Sequence, residues 1–477
     1  MSPSHGPDQP PPPTGCPLHD NAVPLPDFAA DDVDPADYLE GLRATHGALA
    51  PVDFEDGVAA WLVLDYSALA EVLKDPHRFP RASNHWREQT EGRFGPDKSS
   101  YTLFSDRGGL NALCLDGEEH RRRRAAIKWA LDSLGGARVR VDAAQLADTA
   151  VNGFCTAGQA DIVTDFAAVV PALMLNRWFG MTQDEFGYLV ECMARQWEVD
   201  ADSTAAQQRL VEHGARIAEA KRAALKAGEI GPGHDLVAAL VSAPQNLSDM
   251  EIAFDLELLI AASVDPVKNL IASTVHLLLT DRAIATEVAG ARVSVSDAVD
   301  RVLWTDPPIA TLPGRFPTTD VVIEGRSVRA GEGLVPCYLA ANRDPKLGAQ
   351  TLGSGNQSYL SFGAGAHACP ARGLGIGAVA AAVETLRRRL PDLRLAVPAA
   401  DIRPLPTVYR RGPRSLPVAF TPAPVQETAT GGAPWNPSNS PSGSTPARAT
   451  STGRPDSSVE SAPLSRFVSR VMSLFGR

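Results

Sequence analysis

The stretch Ser361-Phe362-Gly363-Ala364-Gly365-Ala366-His367-Ala368-Cys369-Pro370 sets two glycines, a histidine and a cysteine ahead of a helical run. Glycines two residues apart let the backbone turn tightly and approach another group closely. Proline is favoured at the first position of a helix, so the pattern predicts a helix that starts at Pro370. The Cys369 sulfur then lies at the positive end of that helix, which stabilises thiolate over thiol. A thiolate is the form in which cysteine binds a metal. The competing reading, a glycine-rich loop around a buried structural cysteine, does not account for Gly, Gly, His and Cys falling in one register.

Composition narrows what surrounds this loop. With 477 residues, 44% hydrophobic and 21% charged, the chain can bury a large core. A formal net charge of −11 argues against nucleic acid as a partner, because phosphate contacts need clustered Lys and Arg. The cysteines Cys16, Cys114, Cys155, Cys192, Cys337 and Cys369 form no CxxC pair, so zinc ribbons and thioredoxin-like chemistry find no support. Their spacing is not that of a disulfide framework, and a reducing, cytoplasmic setting is expected. Residues 1–23 lack the basic and apolar regions of a secretory signal. Cys16, after Thr14-Gly15, is read as an ordinary cysteine in a flexible arm. No apolar run reaches the ~18 residues that span a bilayer.

Four segments are expected: a proline-rich arm (1–23), a core (24–420), a low-complexity linker (421–462) and a short amphipathic helix (463–477). Helical periodicity covers Asp34–His46, Tyr66–Leu73, Glu118–Leu134, Ala143–Thr156, Phe166–Phe179, Asp202–Ala227 and Asp249–Thr280. Strand signals are fewer: Ala60–Leu64, a hairpin over Asp320–Val328 punctuated by Gly325, and Leu395–Phe420. The fold class read from this pattern is mainly α with minor β.

The motif Phe-Gly-x-Gly-x-His-x-Cys resembles the heme-binding loop of cytochromes P-450. In that family the Phe shields the sulfur, the His meets a heme propionate and the Cys binds iron, roles that carry over to Phe362, His367 and Cys369. Further segments match in order. Asp116-Gly117-Glu118-Glu119-His120-Arg121-Arg122-Arg123-Arg124 is similar to the start of the family's C helix. His120 and Arg124, four apart, share a helix face that in the family reaches the propionates. Arg124 is expected inward and the other arginines outward, where they could dock an acidic ferredoxin. Arg315 precedes Phe316-Pro317-Thr318-Thr319-Asp320 and corresponds to another propionate-binding arginine. Ala341-Asn342-Arg343-Asp344-Pro345 matches a familiar segment.

The resemblance implies the cytochrome P-450 fold, with heme b (iron protoporphyrin IX) between a long distal helix and the Cys-loop helix, and Cys369 as axial thiolate. It also implies a monooxygenase that inserts oxygen from dioxygen into a small organic substrate. Electrons would come from a ferredoxin and its reductase.

Departures from the family bear on activity. Within Ile260-Ala261-Ala262-Ser263-Val264-Asp265-Pro266, Asp265 retains the family's acid and is the expected proton relay. Pro266 replaces a Thr whose hydroxyl normally orders water and protons, and proline has no side-chain donor. In Asp300-Arg301-Val302-Leu303-Trp304, Arg301 and Trp304 stand where the family has a buried Glu-x-x-Arg ion pair. At i,i+3 these two are expected to make a cation–π contact. A similar segment with Trp for Arg occurs in an actinomycete subgroup. Ala371 replaces the usual Gly of Cys-x-Gly.

Leu464, Phe467, Val468, Val471, Met472 and Phe475 form one helical stripe opposite Arg466 and Arg470. That pattern suggests docking to a membrane surface or a partner groove. The functional alternatives to an atypical monooxygenase are a scaffold whose oxygen chemistry has decayed, with or without heme, and a peroxide-using enzyme.

Overall fold

Ser248 marks where the longest helix begins. Its hydroxyl accepts from the Glu251 N–H at 3.3 Å, and the Glu251 carboxylate accepts from the Ser248 N–H at 2.7 Å. This reciprocal pair satisfies two donors that a helix start otherwise leaves open. The helix then runs from Asp249 to Thr280, the bounds that periodicity predicts.

The computed structural model describes residues 17–28, 33–54, 57–95, 111–181, 185, 201–353 and 355–426. The principal helices, in chain order, are α1 Tyr66–Lys74, α2 Gly117–Leu134, α3 Gly136–Asn152, α4 Val169–Phe179, α5 Ala201–Ala227, α6 Asp249–Thr280, α7 Val295–Thr305, α8 Tyr338–Asn342 and α9 Arg372–Arg389. By length and composition α6 could cross a membrane, yet it runs through the protein core with Ile252, Leu256, Ile260, Leu270, Ile271 and Val275 buried.

The β portion is small, as expected. Ala59–Val63, buried at every position, pairs antiparallel with Leu49–Asp53 and parallel with Gly333–Pro336. Val321–Ile323 and Arg326–Val328 form the predicted hairpin. Its two-residue loop, Glu324 and Gly325, has positive φ at both positions (46° and 77°), the geometry that matches strand twist. Pro417–Ala419 lies between Gln159–Asp161 and Arg394–Leu395.

Three expectations need adjustment. The helix predicted over 143–156 starts at Gly136 and ends at Asn152. The stretch 166–179 splits into a π-turn, Val163–Ala167, and α4. Pro171 has no N–H to give to Ala167, which keeps the two from forming one continuous α-ladder. The arm expected to reach residue 23 is structured from Pro17. Pro17–Asp20 makes one helical turn, Val23–Pro24 pairs with Val52 and Asp53, and Leu18 is fully buried against the sheet cluster. The linker beyond residue 426 and the segment 463–477 lie outside the described residues.

Candidate active site

The Cys369 loop is shaped by its glycines. Gly363 and Gly365 both have φ of +69°, a region that costs other residues strain. A β-carbon at Gly365 would lie 2.6 Å from the Leu73 carbonyl oxygen and 2.9 Å from the Lys74 α-carbon, so the loop presses backbone to backbone on the end of α1. Gly365→Ala is expected to lower the unfolding free energy by about 2–4 kcal/mol through strain and overlap. Denaturant titration would show this, and a loss under ~0.5 kcal/mol would mean that the loop yields.

The Cys369 N–H donates to the Phe362 carbonyl at 2.8 Å, and both residues line one cavity. Helix α9 begins at Arg372, two residues later than the proline rule predicts, with Ala371 as its N-cap. The sulfur still receives help from that helix start. Burial pushes the thiol up and outweighs the Ala371 N–H, Arg124 and Arg372, which act in the opposite sense, toward thiolate. The accessible surface of Cys369 faces a cavity of about 610 Å³.

Every candidate site residue lines that one cavity: His120, Arg124, Asp265, Arg315, Phe362, His367 and Cys369. The His120 and His367 rings stack at 4.0 Å between centroids. Arg124 donates to the Ala368 carbonyl beside the cysteine. Arg315 is 1% exposed, and its Nε and Nη1 have no hydrogen-bond partner among the described residues. Burial, reinforced by the neighbouring Arg81 charge, brings its pKa down to about 9. Arg81, which also lines the cavity and has an unpartnered Nε, was not picked out from sequence. Burial likewise lowers His120, and His367 falls to about 3 despite its 3.2 Å contact with Asp116. Asp116 in turn accepts the backbone N–H groups of Arg81 and Ala82 at 2.7 and 2.9 Å.

Among the described residues, Asp116 is the one carboxylate hydrogen-bonded to this cluster. A buried cationic floor with open donors demands an anion. A cysteine sulfur beside it and a largely apolar cavity complete what a heme with two carboxylates would require. The residues fit that group.

Arg123, expected outward, is buried. Its Nε donates to the fully buried Asp255 of α6 at 2.7 Å. Adjacent positions 123 and 124 lie about 100° apart around α2, so one side chain meets α6 while the other reaches the cavity.

Across the cavity, Asp265 is held by three groups. Lys268 Nζ lies at 2.5 Å, Asn269 Nδ2 at 3.0 Å and Arg410 Nη1 at 3.3 Å. Burial pushes its carboxyl up, but the Lys268 and Arg410 charges outweigh that and hold it below the usual range. Pro266 sits within the helix beside it, also in the cavity wall.

The expected Arg301–Trp304 contact is replaced by separate partners. Arg301 donates to the Leu352 carbonyl at 3.3 Å, and Trp304 Nε1 to the Asn356 carbonyl at 2.8 Å. The Trp304 ring stacks on Tyr66 and meets Tyr359 edge-on, at 6.5 and 5.7 Å. Rings in the crowded α7 interface outcompete a guanidinium on the same helix. Asn342, quoted in the sequence motif without a role, is buried between α7 and the Cys369 loop. It donates to the Leu303 carbonyl at 3.0 Å and Ser361 Oγ at 2.7 Å, and accepts the Leu360 N–H at 2.8 Å.

No protein-family model matches the chain. It is 29% identical to cytochrome P450-SU2 of Streptomyces griseolus, over 76% of this chain and 89% of that protein. Identity is also 29% with the mycinamicin IV hydroxylase/epoxidase of Micromonospora griseorubida, over 76% and 90% of the two chains. Among solved structures, CYP154C4 from Streptomyces sp. ATCC 11861 superposes with a TM-score of 0.75 at 26% identity, covering 84% of this chain and 98% of that one. In sequence and in fold the chain is similar to bacterial cytochromes P450, and its curated relatives include named hydroxylases and monooxygenases. A heme with a cysteine thiolate ligand is the cofactor of that superfamily.

Proposed function

We propose that the chain, over residues 24–420, is an atypical heme-thiolate monooxygenase of small organic substrates, with Cys369 as the iron ligand. The observation that carries this reading is the pairing, in one cavity wall, of the Cys369 sulfur with the buried cationic floor. His120, Arg124, Arg315 and His367 would hold the heme carboxylates, with Arg81 beside them. Phe362 would cover the sulfur. When bound, the heme supplies thiolate-assisted oxygen activation.

The chain's own residues make proton delivery unusual. Pro266 offers no hydroxyl to hold water, and Asp265 is anchored to two cations, which favours its ionised form. Asp265 is therefore a slow proton relay that exchanges through whatever water reaches Arg410 and Lys268. This supports peroxide as an alternative oxidant, since its use needs fewer delivered protons. Ferredoxin and its reductase remain the proposed electron source, and the 463–477 stripe the proposed docking element at a membrane surface or partner groove.

Two measurements test the reading. Reduction under carbon monoxide should give a thiolate-type Soret band; a chain that binds no heme would leave only the scaffold alternative. Product formation should then be compared between ferredoxin-fed and peroxide-fed reactions, for the natural chain and Pro266→Thr. The substitution is expected to raise the yield of product per reduced ferredoxin and to leave the peroxide-fed rate little changed. Equal gains in both would remove proton delivery as the limiting feature.

A further inference from the structure

Arg372 is the first residue of α9, three positions past Cys369. Its guanidinium has no carboxylate within ion-pair distance among the described residues. It rests instead on neutral groups: it donates to the Gln357 carbonyl at 2.5 Å and lies 4.8 Å over the Tyr359 ring and 5.8 Å over the Phe362 ring. Phe362 is the residue whose carbonyl accepts the Cys369 N–H. The cation is thus held against the loop residue that bonds the cysteine backbone.

Behind it stands a buried carboxylate. Asp300 of α7, 6% exposed, accepts the Tyr359 hydroxyl at 2.8 Å and the Gln357 side-chain amide at 2.9 Å. No cation pairs with it among the described residues. A phenol that donates to a carboxylate carries more negative charge on its ring face, and cation–π attraction is electrostatic. Asp300 and Arg372 are therefore an acid and a base joined through the ring of Tyr359, with no direct ion pair.

We infer that Arg372 restrains electron donation by the Cys369 sulfur, and that Asp300, through Tyr359 and Gln357, is a positioning residue that holds Arg372 in place for this. The inference rests on Cys369 being the iron ligand. A positive charge beside the thiolate draws electron density from the sulfur, so its removal strengthens donation to iron and favours the ferric state.

The test is an equilibrium redox titration of the purified, heme-loaded full chain. Arg372→Gln is expected to shift the Fe(III)/Fe(II) potential to a more negative value, and Arg372→Lys to restore most of the difference. Tyr359→Phe, which keeps the ring and loses the hydroxyl link to Asp300, should shift it in the same direction by less. A packing role alone would lower Tm in these variants without moving the potential. An unmoved potential in Arg372→Gln, with the thiolate-type band retained, overturns the inference alone. Where Arg372→Gln fails to load heme, the Tyr359→Phe titration decides in the same way. Absence of the thiolate-type band in the natural chain would overturn the proposed function and this inference together.

Discussion

Serine in place of Cys369 is expected to remove the thiolate-type Soret band and ferredoxin-driven product formation, while heme still binds. The two halves of that outcome have separate causes. The hydroxyl is nearly isosteric with the thiol but is not ionised in this setting, so it cannot donate as a thiolate does. Binding, by contrast, would draw on the cavity's apolar wall and on Arg81, His120, Arg124, Arg315 and His367, all of which line the cavity apart from the sulfur. Heme content per chain and the spectrum under carbon monoxide measure the two halves independently. A Cys369→Ser chain that keeps the thiolate-type band would show that another cysteine holds the iron. Cys114, in the same cavity wall, is the one to examine next.

Arg315→Met is expected to act in opposite directions on the two states of the protein. In the heme-free chain, Arg315 is a buried cation with two unpartnered donors, crowded by Arg81. An apolar side chain of similar length removes that burden and should raise the unfolding free energy by about 1–3 kcal/mol. The backbone contacts that hold residue 315, the mutual bonds with Leu334 at 3.2 and 2.8 Å, do not involve the side chain. In the loaded chain the same change would delete the proposed charge-assisted bonds to a heme carboxylate, worth about 1.5–3 kcal/mol, which corresponds to roughly ten- to a hundredfold weaker heme retention. Thermal unfolding of the heme-free chain and transfer of heme to an acceptor protein read the two effects. If the heme-free variant is less stable than the natural chain, Arg315 is satisfied by groups within the protein and is not awaiting an anion.

What could be read from sequence here was local. Gly363 and Gly365 demand a special backbone, His120 and Arg124 share a face by period, and the apolar period from Asp249 to Thr280 announces a helix; each rule acts within a few residues. The long helix Asp249–Thr280 was legible to both ends for that reason. The unreadable parts depend on partners far along the chain. Arg81 joins the floor only because the turn after α1 meets the start of α2. Arg123 looked like one more surface arginine until Asp255, 132 positions away, turned out to face it. The same holds for Trp304: its Tyr66 and Tyr359 partners are set by tertiary packing, so an i,i+3 rule on one helix could not foresee them.

Asn342 carries a consequence for how this sequence can change over time. Its amide meets two acceptors and one donor on two segments: Leu303 O, then Ser361 Oγ and the Leu360 N–H. Aspartate has no N–H to offer the first two, serine and threonine offer only one donor, and glutamine carries the amide one carbon too far. Neutral drift at position 342 is therefore closed unless positions 303 and 360–361 shift in concert. The alphabet available there has shrunk to a single letter, although the residue touches neither the cysteine nor the cavity.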